Sequence, residues 1–249
     1  MVSKSQISFI KSLQQKKFRK EHRLFVAEGN KSVTEFITSG YEISTVYYTP
    51  AFDAQLHKLS KKVIFQDISI ADMQKISSLT TPQDVLAVIS IPEWPNLIRH
   101  NLLNQFTLVL DGVQDPGNLG TIIRTADWFG INNIICSEDT VDAYNPKVVQ
   151  ATMGSLARVN LHYTDLVTLL PQLNLPIFGA MLDGNNIYTV NFGTEGLVVM
   201  GNEGNGLRPE IQQLITQAIT IPRFGGAESL NVAIATALFC GELSRKRFK

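Results

Sequence analysis

From Phe106 onwards, short runs of Val, Ile and Leu alternate with helical stretches, and this alternation constrains the fold more than any other feature of the chain. Strands that are apolar along their whole length must be covered on both faces, and parallel βα units do this with helices. The predicted strands are "FTLVLDG", "INNIICS", "PIFGAML", "GLVVM" and "AITIP". Between and after them come predicted helices at "NPKVVQATMG", "TDLVTLLPQL", "RPEIQQLITQ" and "SLNVAIATALFCGELSRK". Another helix, within "VQDPGNLGTIIRTADWFG", is expected to start near Asn118 and end at Gly130.

Residues 1 to about 90 read as a separate, small α/β domain. A basic amphipathic helix leads into strand "RLFVAE", helix "NKSVTEFITSG", strand "EISTVYY" and a helix after Pro50; strand "KVIFQ", helix "SIADMQKISS" and strand "DVLAVIS" follow. Pro92 and Pro95 then interrupt the periodicity. The predicted organisation is a small domain over 1–91, a linker over 92–105 and a parallel-sheet domain over 106–249.

With 249 residues, 44% hydrophobic and 18% charged, the chain has enough apolar material for a substantial core. No apolar run approaches the roughly 20 residues of a membrane span, and the N-terminus lacks the hydrophobic centre of a signal sequence, so a cytoplasmic protein without membrane contact is expected. Cys136 and Cys240 sit in apolar runs and read as small buried hydrophobes. The four histidines, His22, His57, His100 and His162, show no paired spacing, which leaves a catalytic metal or a Ser-His-Asp triad without support. The formal charge is zero, from 22 basic and 22 acidic residues, yet Lys4, Lys11, Lys16, Lys17, Arg19, Lys20, Arg23 and Lys31 crowd the first segment. Arg245, Lys246, Arg247 and Lys249 close the chain. Balanced totals therefore hide two basic ends, readable either as nucleic-acid contacts or as solvated charge.

The stretch "VVMGNEGNGL", residues 198–207, poses the functional question. Its glycine spacing is not that of a dinucleotide-binding loop, no acidic ribose ligand follows at the expected distance, and no Gly-Lys-Ser/Thr marks a Walker loop. Taken alone, it is a strand-to-helix turn that uses glycine for positive φ. Two further corners share its half of the chain, "DPGNLGTIIRTA" and "IPRFGGAESLNVAIATA". All three leave the carboxyl end of a strand, where open parallel sheets bind ligands, so together they could wall one pocket.

These three stretches resemble, in order, the signature motifs of the SpoU or TrmH family of RNA ribose 2′-O-methyltransferases in the SPOUT superfamily. Asn118, Gly120 and Arg124 carry the first, Gly201, Glu203, Gly204 and Gly206 the second, and Ser229, Leu230 and Asn231 the third. The resemblance spans residues 106 to 247, and "HRLFVAEGNKSVTEFI" is similar to the RNA-binding N-terminal domain of many members. It implies an α/β parallel-sheet domain with a deep trefoil knot, against the general rule that chains do not knot. It also implies S-adenosylmethionine held by the backbone around Gly201, Ile221 and Leu230, and a homodimer in which one subunit's arginine lies near the other's cofactor. Arg124 is the implied central catalytic residue, with Asn118, Glu203, Ser229 and Asn231 arranging substrate and loops. An arginine with a pKa above about 12 is a poor base, so phosphate binding and alkoxide stabilisation suit Arg124 better, and the proton acceptor stays open. Glu203 reads equally as a cap on the following helix, and Ser229 and Asn231 read as N-caps of the final one. Ribosomal RNA is the expected substrate, with transfer RNA or a non-catalytic RNA-binding assembly factor as alternatives.

Overall fold

The computed structural model describes residues 2–52 and 63–245; the helix expected after Pro50 and the basic residues Lys246, Arg247 and Lys249 lie outside the described residues. The chain forms two compact units, Met1–Glu93 with Asp142–Arg158, and Trp94–Val141 with Val159–Lys249.

In the first unit, the single basic helix expected at the N-terminus is two: α1 (Lys4–Ser12) and α2 (Lys16–His22). Ser3 and Gln6 form a reciprocal capping box at the start of α1. The break after α1 has a cause in Arg19, whose guanidinium takes the carbonyls of Leu13 (2.9 Å) and Gln14 (2.7 Å) that a continuing helix would use internally. A four-stranded sheet follows from β1 (Leu24–Glu28), β2 (Ile43–Tyr48), β3 (Ile64–Asp67) and β4 (Val85–Ser90), in the order β1-β4-β2-β3. β4 pairs antiparallel with both neighbours, and β2 pairs parallel with β3. Helices α3 (Asn30–Thr38) and α4 (Ile70–Ile76) complete this part.

Asp142–Arg158, which a continuous division at 92–105 assigns to the second half, packs with the first unit instead. Its helix α6 (Pro146–Thr152) lies against β1, and the Tyr144 ring sits 4.8 Å from that of Phe25. Asp142 accepts Nε and a terminal nitrogen of Arg19 at 3.0 and 2.7 Å, Tyr41 donates to the Leu156 carbonyl at 3.2 Å, and Arg158 pairs with Glu35. At Gly154 (φ +94°) a Cβ would lie 2.7 Å from Cγ of Glu35, so only glycine lets the backbone approach α3 this closely.

The second unit is a six-stranded, all-parallel sheet ordered β10-β8-β9-β5-β6-β7. Its strands are β5 (Phe106–Leu110), β6 (Asn133–Ser137), β7 (Asn160–Thr164), β8 (Ile177–Asn186), β9 (Gly196–Met200) and β10 (Gln217–Thr220). Every residue of β5 and β9 is buried, as a parallel strand covered on both faces requires. Around the sheet lie α5 (Pro116–Trp128), α7 (Leu166–Leu173), α8 (Pro209–Gln212) and α9 (Val232–Ser244), with α5 packed on α9. The edge strand β7, "NLHYT", has no counterpart among the predicted strands, and α8 ends at Gln212, well short of the predicted helix. Cys136 and Cys240 are free and buried; burial pushes both thiols up, that of Cys240 to about 12, so neither is a nucleophile near neutral pH. Among the described residues, no helix is long and apolar enough to cross a membrane.

Candidate functional site

Strands β5 and β9 are paired neighbours, with Leu110 opposite Met200 in register, so the first two motif loops emerge side by side. The second loop folds back on itself: the backbone groups of Asn202 and Gly206 exchange hydrogen bonds at 2.9 and 3.0 Å. A Cβ on Gly201 would lie 2.4 Å from the carbonyl carbon of Gly206 and 2.6 Å from the Leu207 nitrogen, so this loop closes only around glycine. Gly206 supplies the positive φ, +70°. The third loop leaves β10 at Ile221 and runs to Asn231, which caps α9 by accepting from Ala233 (2.9 Å) and Ile234 (3.3 Å).

Side-chain amides and one carboxylate then tie the three loops together. Glu203 Oε1 accepts from Asn118 Nδ2 (3.0 Å) and the Asp115 amide (3.2 Å), and Oε2 from the Gln114 amide (3.3 Å) and Asn202 Nδ2 (3.4 Å). Asn118 in turn accepts from Asn231 Nδ2 at 2.9 Å. Glu203 is therefore no cap for α8; it braces the N-terminal turn of α5, whose N-cap is Asp115. Nor does Ser229 cap α9, a role held by Asn231 alone.

Burial would raise the Glu203 pKa, but the donors from Asn118, Asp115 and Gln114 outweigh it and hold the carboxyl below the usual glutamate range. A group with a depressed folded pKa contributes stability that is fully present above its unfolded value, roughly 4.3, and lost as pH falls through the folded value. The expected NMR titration of Glu203 has its midpoint below that of a model glutamate, moving upward in Asn118→Ala. An unshifted midpoint in the parent protein would contradict the brace.

Beside this network opens a cleft of about 660 Å³. Gly201, Glu203, Ile221, Ser229 and Leu230 all line it, and Met200, Ile219 and Phe239 contribute buried apolar side chains. Asn118 and Asn231 reach it through Glu203 rather than lining it. Arg124 stands apart: its side chain is exposed on α5, makes no hydrogen bond or ion pair among the described residues, and does not line the cleft.

Three positioning residues, Asn202, Asp111 and Arg208, escaped the sequence reading. Asn202 donates to the Gly112 carbonyl at 2.7 Å while its Oδ1 accepts from Gly204 and Asn205, an Asx turn that an asparagine between Gly201 and Gly204 could have signalled. Asp111, fully buried at the end of β5, accepts the Arg208 amide at 2.8 Å and its guanidinium at 2.6 and 2.5 Å, fixing the exit of the second loop.

A sequence profile of the SpoU rRNA methylase family matches residues 105–241. The chain belongs to this family. A profile of the MRM3-like substrate binding domain matches residues 4–87. Among relatives of the SpoU chain, the 23S rRNA (guanosine(2553)-2′-O)-methyltransferase RlmP of Bacillus subtilis is 28% identical over 92% of this chain and 91% of its own length. The 23S rRNA (guanosine-2′-O-)-methyltransferase RlmB of Acinetobacter baylyi is 31% identical over 73% of this chain and 78% of its own. Among solved structures, a protein of the TrmH family from Porphyromonas gingivalis superposes with TM-score 0.87 at 39% identity, covering 99% of both chains. The AdoMet-bound rRNA methyltransferase from Sinorhizobium meliloti gives 0.87 at 30% identity, covering 99% of this chain and 97% of its own.

Proposed function

We propose that the chain is an S-adenosylmethionine-dependent ribose 2′-O-methyltransferase acting on ribosomal RNA in the cytoplasm. The observation that carries this reading is the Glu203–Asn118–Asn231 chain, which joins all three family motifs beside a cleft of donor size. Its volume, about 660 Å³, lies within the common range of small-molecule sites. The apolar floor suits a nucleoside base, while Asp183, Glu203 and Glu228 on the walls suit a sulfonium and an ammonium, with Arg223 available to a carboxylate. Gly201, Ile221 and Leu230 would hold the donor through backbone contacts. When bound, the donor supplies an electrophilic methyl group; alignment with the acceptor then does most of what catalysis requires. Residues 1–91, with 142–158 packed on them, take the RNA-holding role and the rest of residues 106–249 methyl transfer, with 92–105 as the linker and the C-terminal segment threaded as a trefoil knot. The relatives named for ribosomal RNA support that substrate over transfer RNA.

Arg124 works across a homodimer interface in this reading. It shares a face of α5 with Trp128, one helical turn on and 84% exposed, and α9, packed on α5, exposes Ile234 and Leu238 as well. Such a patch suits an isologous contact between two copies. From the partner's α5, the free guanidinium binds the phosphate beside the target ribose and stabilises negative charge on the 2′ oxygen, while Asn118, Glu203, Ser229 and Asn231 hold the loops and the substrate. Trp128→Glu is expected to convert the dimer to monomers in analytical ultracentrifugation and to abolish transfer. Mixing Arg124→Ala with Glu203→Ala chains should restore activity, because each mixed dimer has one complete site; no recovery on subunit exchange contradicts action in trans.

Calorimetric titration with S-adenosylmethionine, followed by transfer of a labelled methyl group to unmodified ribosomal and transfer RNA offered separately, tests the function. One donor bound per chain and label in ribosomal RNA alone is the expected result. Absence of donor binding overturns the reading.

A further inference from the structure

We propose that the corner between α1 and α2 is a stacking platform for an unpaired nucleobase, so that the RNA substrate presents a single-stranded loop or end to it. This rests on the RNA-methyltransferase reading and adds how the RNA is selected. Three aromatic rings meet at this corner. His22 lies 5.1 Å edge-on from Phe9 and is stacked near-parallel on Phe18, with centroids 6.4 Å apart. Phe9 is 37% exposed and His22 is exposed too, although the fold offers both neighbouring helices a buried side.

The exposed lysines of these two helices, Lys11, Lys16, Lys17 and Lys20, have no carboxylate partner among the described residues; Glu21 is the nearby opposite charge in the sequence. Lys17 Nζ sits 5.8 Å from the centre of the Phe18 ring. Lysines alone would grip any phosphate backbone, duplex or single-stranded. Aromatic faces add discrimination, because the bases of a duplex are already stacked and only unpaired ones are free to cover a ring. A protein partner fits this surface poorly, since lysine is depleted at protein interfaces. The corner is also held in shape before RNA arrives: buried Arg19 ties the Leu13 and Gln14 carbonyls to Asp142.

The test uses the full chain with two probes, a short single-stranded RNA carrying a central 2-aminopurine and the same sequence as a perfect duplex. The wild type is expected to quench 2-aminopurine on binding. Phe9→Ala/His22→Ala should weaken single-strand binding about tenfold and remove the quench while leaving duplex affinity unchanged. Phe9→Trp, which keeps a ring, should retain both signals, and Lys16→Ala/Lys17→Ala should weaken both probes and flatten the salt dependence. Unchanged single-strand affinity and quench in the double variant, or equal loss of both probes, overturns the platform. Methyl transfer to ribosomal RNA measured in parallel separates the two ideas: KM is expected to rise in the double variant with kcat retained. Transfer with unchanged KM sinks the platform and leaves the enzyme reading standing; platform signals in a wild type that transfers no methyl sink the enzyme reading alone.

Discussion

Arg124→Ala is expected to lower kcat by about two to three orders of magnitude, the usual cost of removing one group that stabilises developing charge. The same variant should melt within about 2 °C of the parent, because Arg124 is exposed and makes no contact among the described residues whose loss would be felt. The pairing of those two results is what carries information. A side chain left without a partner in the folded chain either does nothing or awaits a ligand, and only the second case couples a large kinetic loss to unchanged stability. Arg124→Lys should recover little, since an ammonium lacks the planar fork that meets a phosphate with two parallel hydrogen bonds. Single-turnover kinetics and thermal melts on both variants check this; a kcat within a few-fold of wild type in Arg124→Ala removes the residue from the chemistry.

Arg19→Met should produce the largest loss of stability, about 3 to 5 kcal/mol. The Arg19 side chain is 2% exposed and serves Asp142 and two main-chain carbonyls, so methionine fills much of the volume but leaves three acceptors without donors. Two of those acceptors close the break between α1 and α2, and the third anchors Asp142–Arg158 to the first unit. Hydrogen exchange should accordingly quicken in α2 and α6 before the parallel sheet of the second unit. Asp142→Asn, which keeps an acceptor in place, should cost distinctly less. Denaturant unfolding of the two variants decides it, and an Arg19→Met protein as stable as the parent contradicts the brace.

The parallel sheet was legible because β5, apart from Thr107, and β9 are apolar from end to end and each is followed by a glycine-marked corner. Strand β7 was not, because an edge strand buried on one side alternates polar and apolar residues, and "NLHYT" is too short for that alternation to stand out. The break between α1 and α2 hides in a run of good helix formers and depends on one guanidinium reaching back to two carbonyls. The capture of residues 142–158 by the first unit depends on a pair separated by 123 positions, which no local pattern contains. At the site, the family resemblance named Asn118, Glu203 and Asn231 but not their linkage. Glu203 looked like a local cap because acidic residues in turns usually are; its partners come from a loop 85 to 89 positions earlier. Asp111 sat unnoticed at the end of an apolar strand, where its burial is set by Arg208 from the second loop.

The central claim is that the three tied loops deliver a methyl group to a ribose oxygen of ribosomal RNA. Its most direct test is to incubate unmodified ribosomal RNA with the protein and isotopically labelled S-adenosylmethionine, digest the RNA and identify the labelled nucleoside by mass spectrometry. The account predicts one labelled nucleoside whose added mass resides on the ribose fragment and whose phosphodiester resists alkali, absent when Arg124→Ala replaces the wild type. Label on a base fragment, or label formed equally by the variant, would contradict it.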